Sequence, residues 1–210
     1  MPSLLLCSAS PRRRELLAQL GLSFTAVAPQ LDERRLPGEA PSALAERLAR
    51  QKALAGLELH RMRAPETHAG ELLVALAADT VVAVGDEDLG KPKDLADAER
   101  MLRALSGRVH TVITSVCVAG PAQGALRTRT VATEVKFRVL TEAEIEWHAA
   151  SGEGADKAGG YALQGLAGAF VERIDGSVSG VVGLPLVEAL GLLAEAGIAL
   201  PWASPAKADT

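Results

Sequence analysis

Leu4-Leu5-Leu6-Cys7 is an unbroken apolar run that stops at Ser8-Ala9-Ser10-Pro11. A run of that length, bounded by small polar residues and proline, predicts a short buried strand. Ser10 before Pro11 predicts a helix opening, with a hydroxyl cap and proline at the first helical position. That helix covers about residues 11–20, and Gly21 ends it. Residues 24–28 predict a second strand. A polar loop over 29–41 carries Asp32, Glu33, Arg34 and Arg35, and Ser42 predicts the cap of a long amphipathic helix over 43–59, with Leu44, Leu48 and Leu57 among its apolar positions.

Residues 72–78 and 81–84 are apolar and are interrupted by Asp79-Thr80. A turn over 86–90 leads to Lys91-Pro92-Lys93-Asp94 and a helix over 94–105. Two long strands, 109–118 and 128–139, pair as a hairpin across 120–124. Thr141 and Glu144 form a capping box at the start of a helix that reaches Ser151. A glycine-rich segment over 152–168 precedes a strand at 169–174, and a helix over 184–196 follows. The hairpin breaks strict parallel winding, so the predicted fold is α/β with a mixed sheet.

Composition narrows the function classes. The 210 residues, 48% of them apolar, suffice for one sizeable core or for two lobes folded together. A net charge of −4 argues against a general nucleic-acid binder, so any anion affinity must be local. Two cysteines, Cys7 and Cys117, make no disulfide framework. No apolar segment approaches the roughly 18–20 residues needed to span a bilayer. Arginines follow the first apolar run where a secretory leader would have them before it. A soluble cytoplasmic protein, with no membrane partner, is therefore expected, and residues 201–210 are expected to form a flexible tail.

Four places carry candidate chemistry. Arg12, Arg13 and Arg14 fall in the first turn of the first helix, where a cation is disfavoured by roughly 0.3–1 kcal/mol. Free N–H groups, Ser8, Ser10 and guanidinium forks there would suit a phosphate-rich anion, and a solvated helix start is the alternative. Asp79 between apolar strand halves cannot stay buried without a partner, so it lies at a strand end facing a cleft or is paired; a turn-forming Asp-Thr pair is the alternative. At a cleft it would hold a divalent ion or take a proton from water. Pro92 stiffens the display of Lys91, which would serve as a phosphate clamp. Gln164, in Gly159-Gly160-Tyr161-Ala162-Leu163-Gln164-Gly165, offers a donor and an acceptor on one amide, complementary to the imide edge of uracil or thymine, and a tightly packed glycine turn with a solvent-facing Gln is the alternative.

Taken together, these segments resemble the Maf family of nucleoside triphosphate pyrophosphatases. The match runs from Ser8-Ala9-Ser10-Pro11-Arg12-Arg13 through Leu48-Ala49-Arg50-Gln51-Lys52-Ala53, Ala78-Asp79-Thr80, Gly90-Lys91-Pro92 and Leu105-Ser106-Gly107-Arg108-Val109-His110. It continues through Asp156-Lys157-Ala158-Gly159-Gly160-Tyr161 to Val182-Gly183-Leu184-Pro185-Leu186. The resemblance implies an elongated α/β fold, similar to inosine triphosphatases, with a mixed sheet and two lobes around a deep cleft in a single domain over residues 1–200. It also implies hydrolysis of a nucleoside triphosphate to the monophosphate and pyrophosphate with Mg²⁺ or Mn²⁺. Asp79 would be the proton acceptor, and Ser8, Arg12, Arg13, Lys52 and Lys91 would line the triphosphate, with Asp79 and Lys91 the catalytic pair. Asp79 and Glu33 would hold the metal. Arg12, Thr80 and Gln164 match the dTTP/UTP branch, and Arg14 has no matching role. The family also suggests a homodimer. A nucleotide-binding regulator of septum formation with incidental hydrolysis is the alternative reading.

Overall fold

The computed structural model describes residues 2–63, 72–85, 87–120 and 125–202. Its framework is one seven-stranded mixed sheet, with strands β1 (Ser3–Cys7), β2 (Thr25–Val27), β3 (Leu73–Val84), β4 (Glu87–Leu89), β5 (Val109–Ala119), β6 (Leu126–Phe137) and β7 (Val171–Asp175). The order is β2-β1-β3-β5-β6-β7, with β4 also paired to β3. β2, β1 and β3 run parallel, and the rest of the sheet is antiparallel. Among the described residues, six α-helices flank it: α1 (Pro11–Gln19), α2 (Pro41–Arg63), α3 (Leu95–Leu105), α4 (Glu142–Ala150), α5 (Val178–Val182) and α6 (Leu186–Glu195). This is the predicted α/β mixed sheet, including the β5–β6 antiparallel pair. Its connecting residues 121–124 and the tail residues 203–210 lie outside the described residues, as does Asp86.

β3 organises the core. It is apolar on both faces, as a central covered strand must be. Its odd-numbered residues Ala75 and Ala77 pack with Cys7, Ala49, Ala53 and Leu57 under α2, and Val81 packs with Leu44, Ala45 and Leu48 further along the same helix. Its even-numbered residues face the other way. Val74, Leu76 and Ala78 meet α1 and α6, whereas Val82 and Val84 meet α3 and α4. On each face the apolar packing therefore changes partners at the same place, and that place is Asp79-Thr80.

Strand pairing makes the same break. On one edge β3 is paired without interruption to β5 from Ala75 to Ala83. On the other edge β1 pairs with residues 73–76 and β4 with residues 82–84. Residues 77–81 thus have no strand pairing on that edge among the described residues, and a gap opens beyond the end of β1. The predicted interruption at Asp79-Thr80 is not a turn or a strand end: β3 passes straight through, and it is the neighbouring strands that stop.

Several local expectations are corrected. Residues 87–89, read as part of a turn, form β4, a strand whose acidic residues hide its three-residue pairing. Ser42 does not cap α2. Pro41 already occupies its first turn, and the carbonyl of Ala40 accepts the Leu44 N–H at 2.9 Å, in keeping with the preformed φ of proline. Ser10 is at the cap position of α1, but its side chain makes no capping bond. The residues expected to form one closing helix over 184–196 begin it only at Leu186, because Gly183 and Pro185 separate α6 from the short α5. By contrast, the capping box of Thr141 and Glu144 is formed, and Asp94 caps α3 by accepting the Asp97 N–H at 2.8 Å. Among the described residues, no helix is long and apolar enough to cross a membrane.

Candidate active site

A cleft of about 300 Å³ occupies the gap beyond β1. It takes in the loop after β1, the first turn of α1, one position of α2, the middle of β3, the Lys91 loop and the glycine-rich segment. Every residue expected to serve a site lines it: Ser8, Arg12, Arg13, Glu33, Lys52, Asp79, Thr80, Lys91 and Gln164. They come from segments up to 156 positions apart, so the sheet gap is what gathers them. Among the described residues, five cationic side chains line the cleft against three carboxylates, a positive interior in a chain of net charge −4.

Asp79 is 7% exposed, and it points to the α2 side of the sheet. There its Oδ1 accepts from Lys52 Nζ at 2.6 Å. The same ammonium lies 2.6 Å from Glu33 Oε1, and Lys91 Nζ lies 3.6 Å from Glu33 Oε2. Carboxylates and ammonium groups thus alternate along a line from the strand to the solvent. Burial drives the Asp79 pKa above the usual carboxylate value, against the opposing pull of Lys52 and Arg13. Burial also raises that of Glu33, but Lys52 and Lys91 outweigh it and leave its pKa lowered. Two acids on one lysine are therefore driven apart, the inner towards basicity and the outer towards permanent charge.

The opposite face of β3 carries a different network. Thr80 Oγ1 accepts from Arg13 Nη2 at 3.2 Å and lies 3.0 Å from Thr114 Oγ1. Thr114 in turn donates to the Gly180 carbonyl at 2.8 Å. Arg13 is buried, and it also donates through Nε to the Gly183 carbonyl at 2.7 Å and through Nη1 to Ser8 Oγ at 3.3 Å. Three of its five N–H groups are thereby committed to uncharged protein acceptors. Among the described residues no carboxylate pairs with it, so its charge reaches the cleft. Burial lowers its pKa, with Asp79 opposing.

Around the first turn of α1 the outcome is more divided than the sequence suggests. Ser8 Oγ, not Ser10, takes the local backbone bond by accepting the Ser10 N–H at 3.1 Å. Arg12 reaches the Val182 carbonyl through Nε at 3.4 Å and also lines the cleft, whereas Arg14 is exposed outside it. Gln164 is exposed in a turn closed by the Gly165 N–H on the Ala162 carbonyl at 3.2 Å. The Lys91 loop and this segment are tied by the Gly159 N–H on the Gly90 carbonyl at 3.1 Å.

Sequence reasoning did not assign Thr114, nor did it give Asp156, Lys157 or Tyr161 a place in the cleft. Thr114 becomes visible only through its register opposite Thr80 across two strands. Asp156, Lys157 and Tyr161 stood inside a motif already quoted, with nothing local to separate them from turn residues.

A family model described as Maf-like protein matches residues 3–196. The chain belongs to the Maf family. Relatives within it are named dTTP/UTP pyrophosphatase. The one from Anaeromyxobacter dehalogenans (strain 2CP-1) is 53% identical over 206 residues, covering 97% of this chain and 99% of that protein. The one from Shewanella sp. (strain MR-7) is 51% identical, covering 93% and 99%. That of Myxococcus xanthus is 50% identical, covering 95% of each. The Maf match thus spans β1 to the end of α6, and with it every segment that contributes to the cleft.

Proposed function

We propose that this chain hydrolyses dTTP and UTP to the nucleoside monophosphate and pyrophosphate, and that it removes such triphosphates, canonical or modified, from the cytoplasmic nucleotide pool. The observation that carries the reading is the buried Asp79 paired to Lys52 in a cationic cleft, with the Gln164 amide exposed in the same space. Relatives named dTTP/UTP pyrophosphatase support it. A regulator without catalysis would need the cations but not a carboxylate of raised pKa among them.

In this reading Arg12, Arg13, Lys52 and Lys91 draw charge from the triphosphate oxygens, and Ser8 donates to one of them. Asp79 orients a water molecule towards the α-phosphorus. As the new P–O bond forms and the bond between the α- and β-phosphates breaks, the water proton passes to Asp79 and pyrophosphate leaves. The raised pKa of Asp79 brings its basicity nearer to neutral pH, where proton acceptance is most effective.

The donor set fits a divalent ion. Asp79 and Glu33 supply hard oxygen ligands that lie close enough together to share one positive group, the Lys52 ammonium. Magnesium commonly takes only one or two protein carboxylates and completes its shell with phosphate and water. Bound there as Mg²⁺ or Mn²⁺, the ion would neutralise charge developing on the phosphates.

Base choice falls to Gln164. Its carbonyl accepts the N3–H of uracil or thymine, and its amino group donates to a ring carbonyl. Glutamate keeps the acceptor but loses the donor and repels that carbonyl. Gln164→Glu should therefore lower kcat/KM for dTTP roughly 10- to 100-fold, the effect of leaving one or two polar groups unpaired. Steady-state kinetics with dTTP and dCTP test this, and unchanged selectivity would reject Gln164 as the reader.

A further inference from the structure

Behind the Gln164 turn, outside the cleft, Glu153 makes an unusual set of contacts. Its backbone is fixed at the end of α4, where its N–H donates to Ser151 Oγ at 3.2 Å and Ser151 Oγ donates to the His148 carbonyl at 2.6 Å. From that anchor its carboxylate crosses to the turn that carries Gln164. Oε2 accepts the Leu166 N–H at 2.9 Å, and the carboxylate lies flat on Gly165. A Cβ at Gly165 would stand 2.2 Å from Glu153 Oε2 and 2.3 Å from its Cδ, so only glycine admits the contact. Oε1 faces the buried His148 ring, with Nε2 at 3.5 Å. The Glu153 carbonyl also accepts from Lys157 Nζ at 2.5 Å, and Lys157 lines the cleft. One residue thus ties down both ends of the segment between Lys157 and Gln164.

From this geometry we infer that Glu153 is a positioning residue for pyrimidine recognition: its carboxylate fixes the Gly165–Leu166 backbone and thereby aims the Gln164 amide at the base. The inference rests on the reading of Gln164 as the base reader. Gln164 itself is exposed, and its turn has one closing hydrogen bond, so its direction depends on what holds the next two residues. A half-buried acid facing a buried histidine could serve packing alone. Reach separates the two roles, because only the full length of Glu153 brings an oxygen to the Leu166 N–H.

Three variants divide the outcomes. Glu153→Gln keeps the length and the acceptor and loses the charge. Glu153→Asp keeps the charge and loses the reach. Glu153→Ala loses both. The test is kcat and KM for dTTP and dCTP in the wild type and each variant, with thermal midpoints as the fold control. The expected result is that Glu153→Asp and Glu153→Ala raise KM for dTTP and shrink the dTTP-over-dCTP ratio of kcat/KM about ten-fold, with kcat much less affected, whereas Glu153→Gln stays near the wild-type ratio. Should the alanine variant fail to fold, the Asp and Gln pair still decides. An unshifted ratio in Glu153→Asp, or a loss confined to Glu153→Gln, overturns the inference. A wild type with no preference for dTTP over dCTP overturns the reading of Gln164 and the inference with it, so the two failures are told apart by the wild-type arm.

Discussion

Replacing Asp79 with asparagine should reduce kcat for dTTP by roughly 10²–10⁴-fold, the range associated with a positioned general base. Nucleotide affinity should stay within about ten-fold of the wild type. The substitution preserves size, and the amide oxygen can still accept from Lys52 where Oδ1 does now, at 2.6 Å. Lys52 also keeps Glu33 as its second counter-ion, so its ammonium is not stranded. What disappears is the basic oxygen that burial has pushed above the ordinary carboxylate range. Pyrophosphate release gives kcat, and calorimetric titration with a non-hydrolysable dTTP analogue gives the affinity. Comparable turnover in the variant would exclude Asp79 as proton acceptor. A loss of binding as large as the loss of rate would make it a ligand-holding group instead.

A second large effect is expected far from the chemistry, at Gly56 in the middle of α2. Helix propensity alone predicts that Gly56→Ala stabilises the protein by about 1 kcal/mol. Packing predicts the reverse. A Cβ there would lie 2.2 Å from Cys7 Sγ and 2.6 Å from Cys7 Cβ, and Cys7 is fully buried in β1. Neither atom has room to retreat between the sheet and the helix. Over-packing of this kind costs typically 1–3 kcal/mol, enough to reverse the propensity gain. Because Lys52 is one turn before Gly56 on the same helix, any outward shift of α2 also lengthens the contact between Lys52 and Asp79. Urea unfolding of the variant should show a lower midpoint, accompanied by a reduced kcat. An unchanged or higher midpoint would mean that α2 rides further from β1 than its Cys7 contact indicates.

The parts of the fold legible in the sequence are those whose causes are local. The apolar run before Ser8 and the Thr141–Glu144 box each act within four residues, and each is found in place. The gap beside Asp79 is not of that kind. It exists because β1 pairs only as far as residue 76 and β4 begins only at residue 82, a fact about strand lengths that no window around Asp79 contains. Periodicity therefore read a polar pair in an apolar run as an interruption of the strand. The pair's real meaning is that one strand serves both faces, with Asp79 turned to Lys52 and Thr80 turned to Arg13. Ser10 occupies the cap position that its sequence predicts, yet its side chain makes no capping bond. The hydroxyl that serves this turn belongs to Ser8, which accepts from both the Ser10 N–H and Arg13 Nη1. The gathering of Ser8, Lys52, Lys91 and Gln164 in one cleft is likewise a product of sheet order, and from sequence it was reachable only through the family resemblance.

The central claim is cleavage between the α- and β-phosphates of a uracil or thymine nucleotide, and product identity across a substrate panel tests it most directly. The protein is incubated with Mg²⁺ and, in separate reactions, with dTTP, UTP, dCTP and dGTP, and the phosphorus products are resolved by ³¹P NMR. The expected result is pyrophosphate with dTMP or UMP as matched products, formed much faster from dTTP and UTP than from dCTP and dGTP. Orthophosphate with a nucleoside diphosphate as the product, or equal rates across all four substrates, would contradict it.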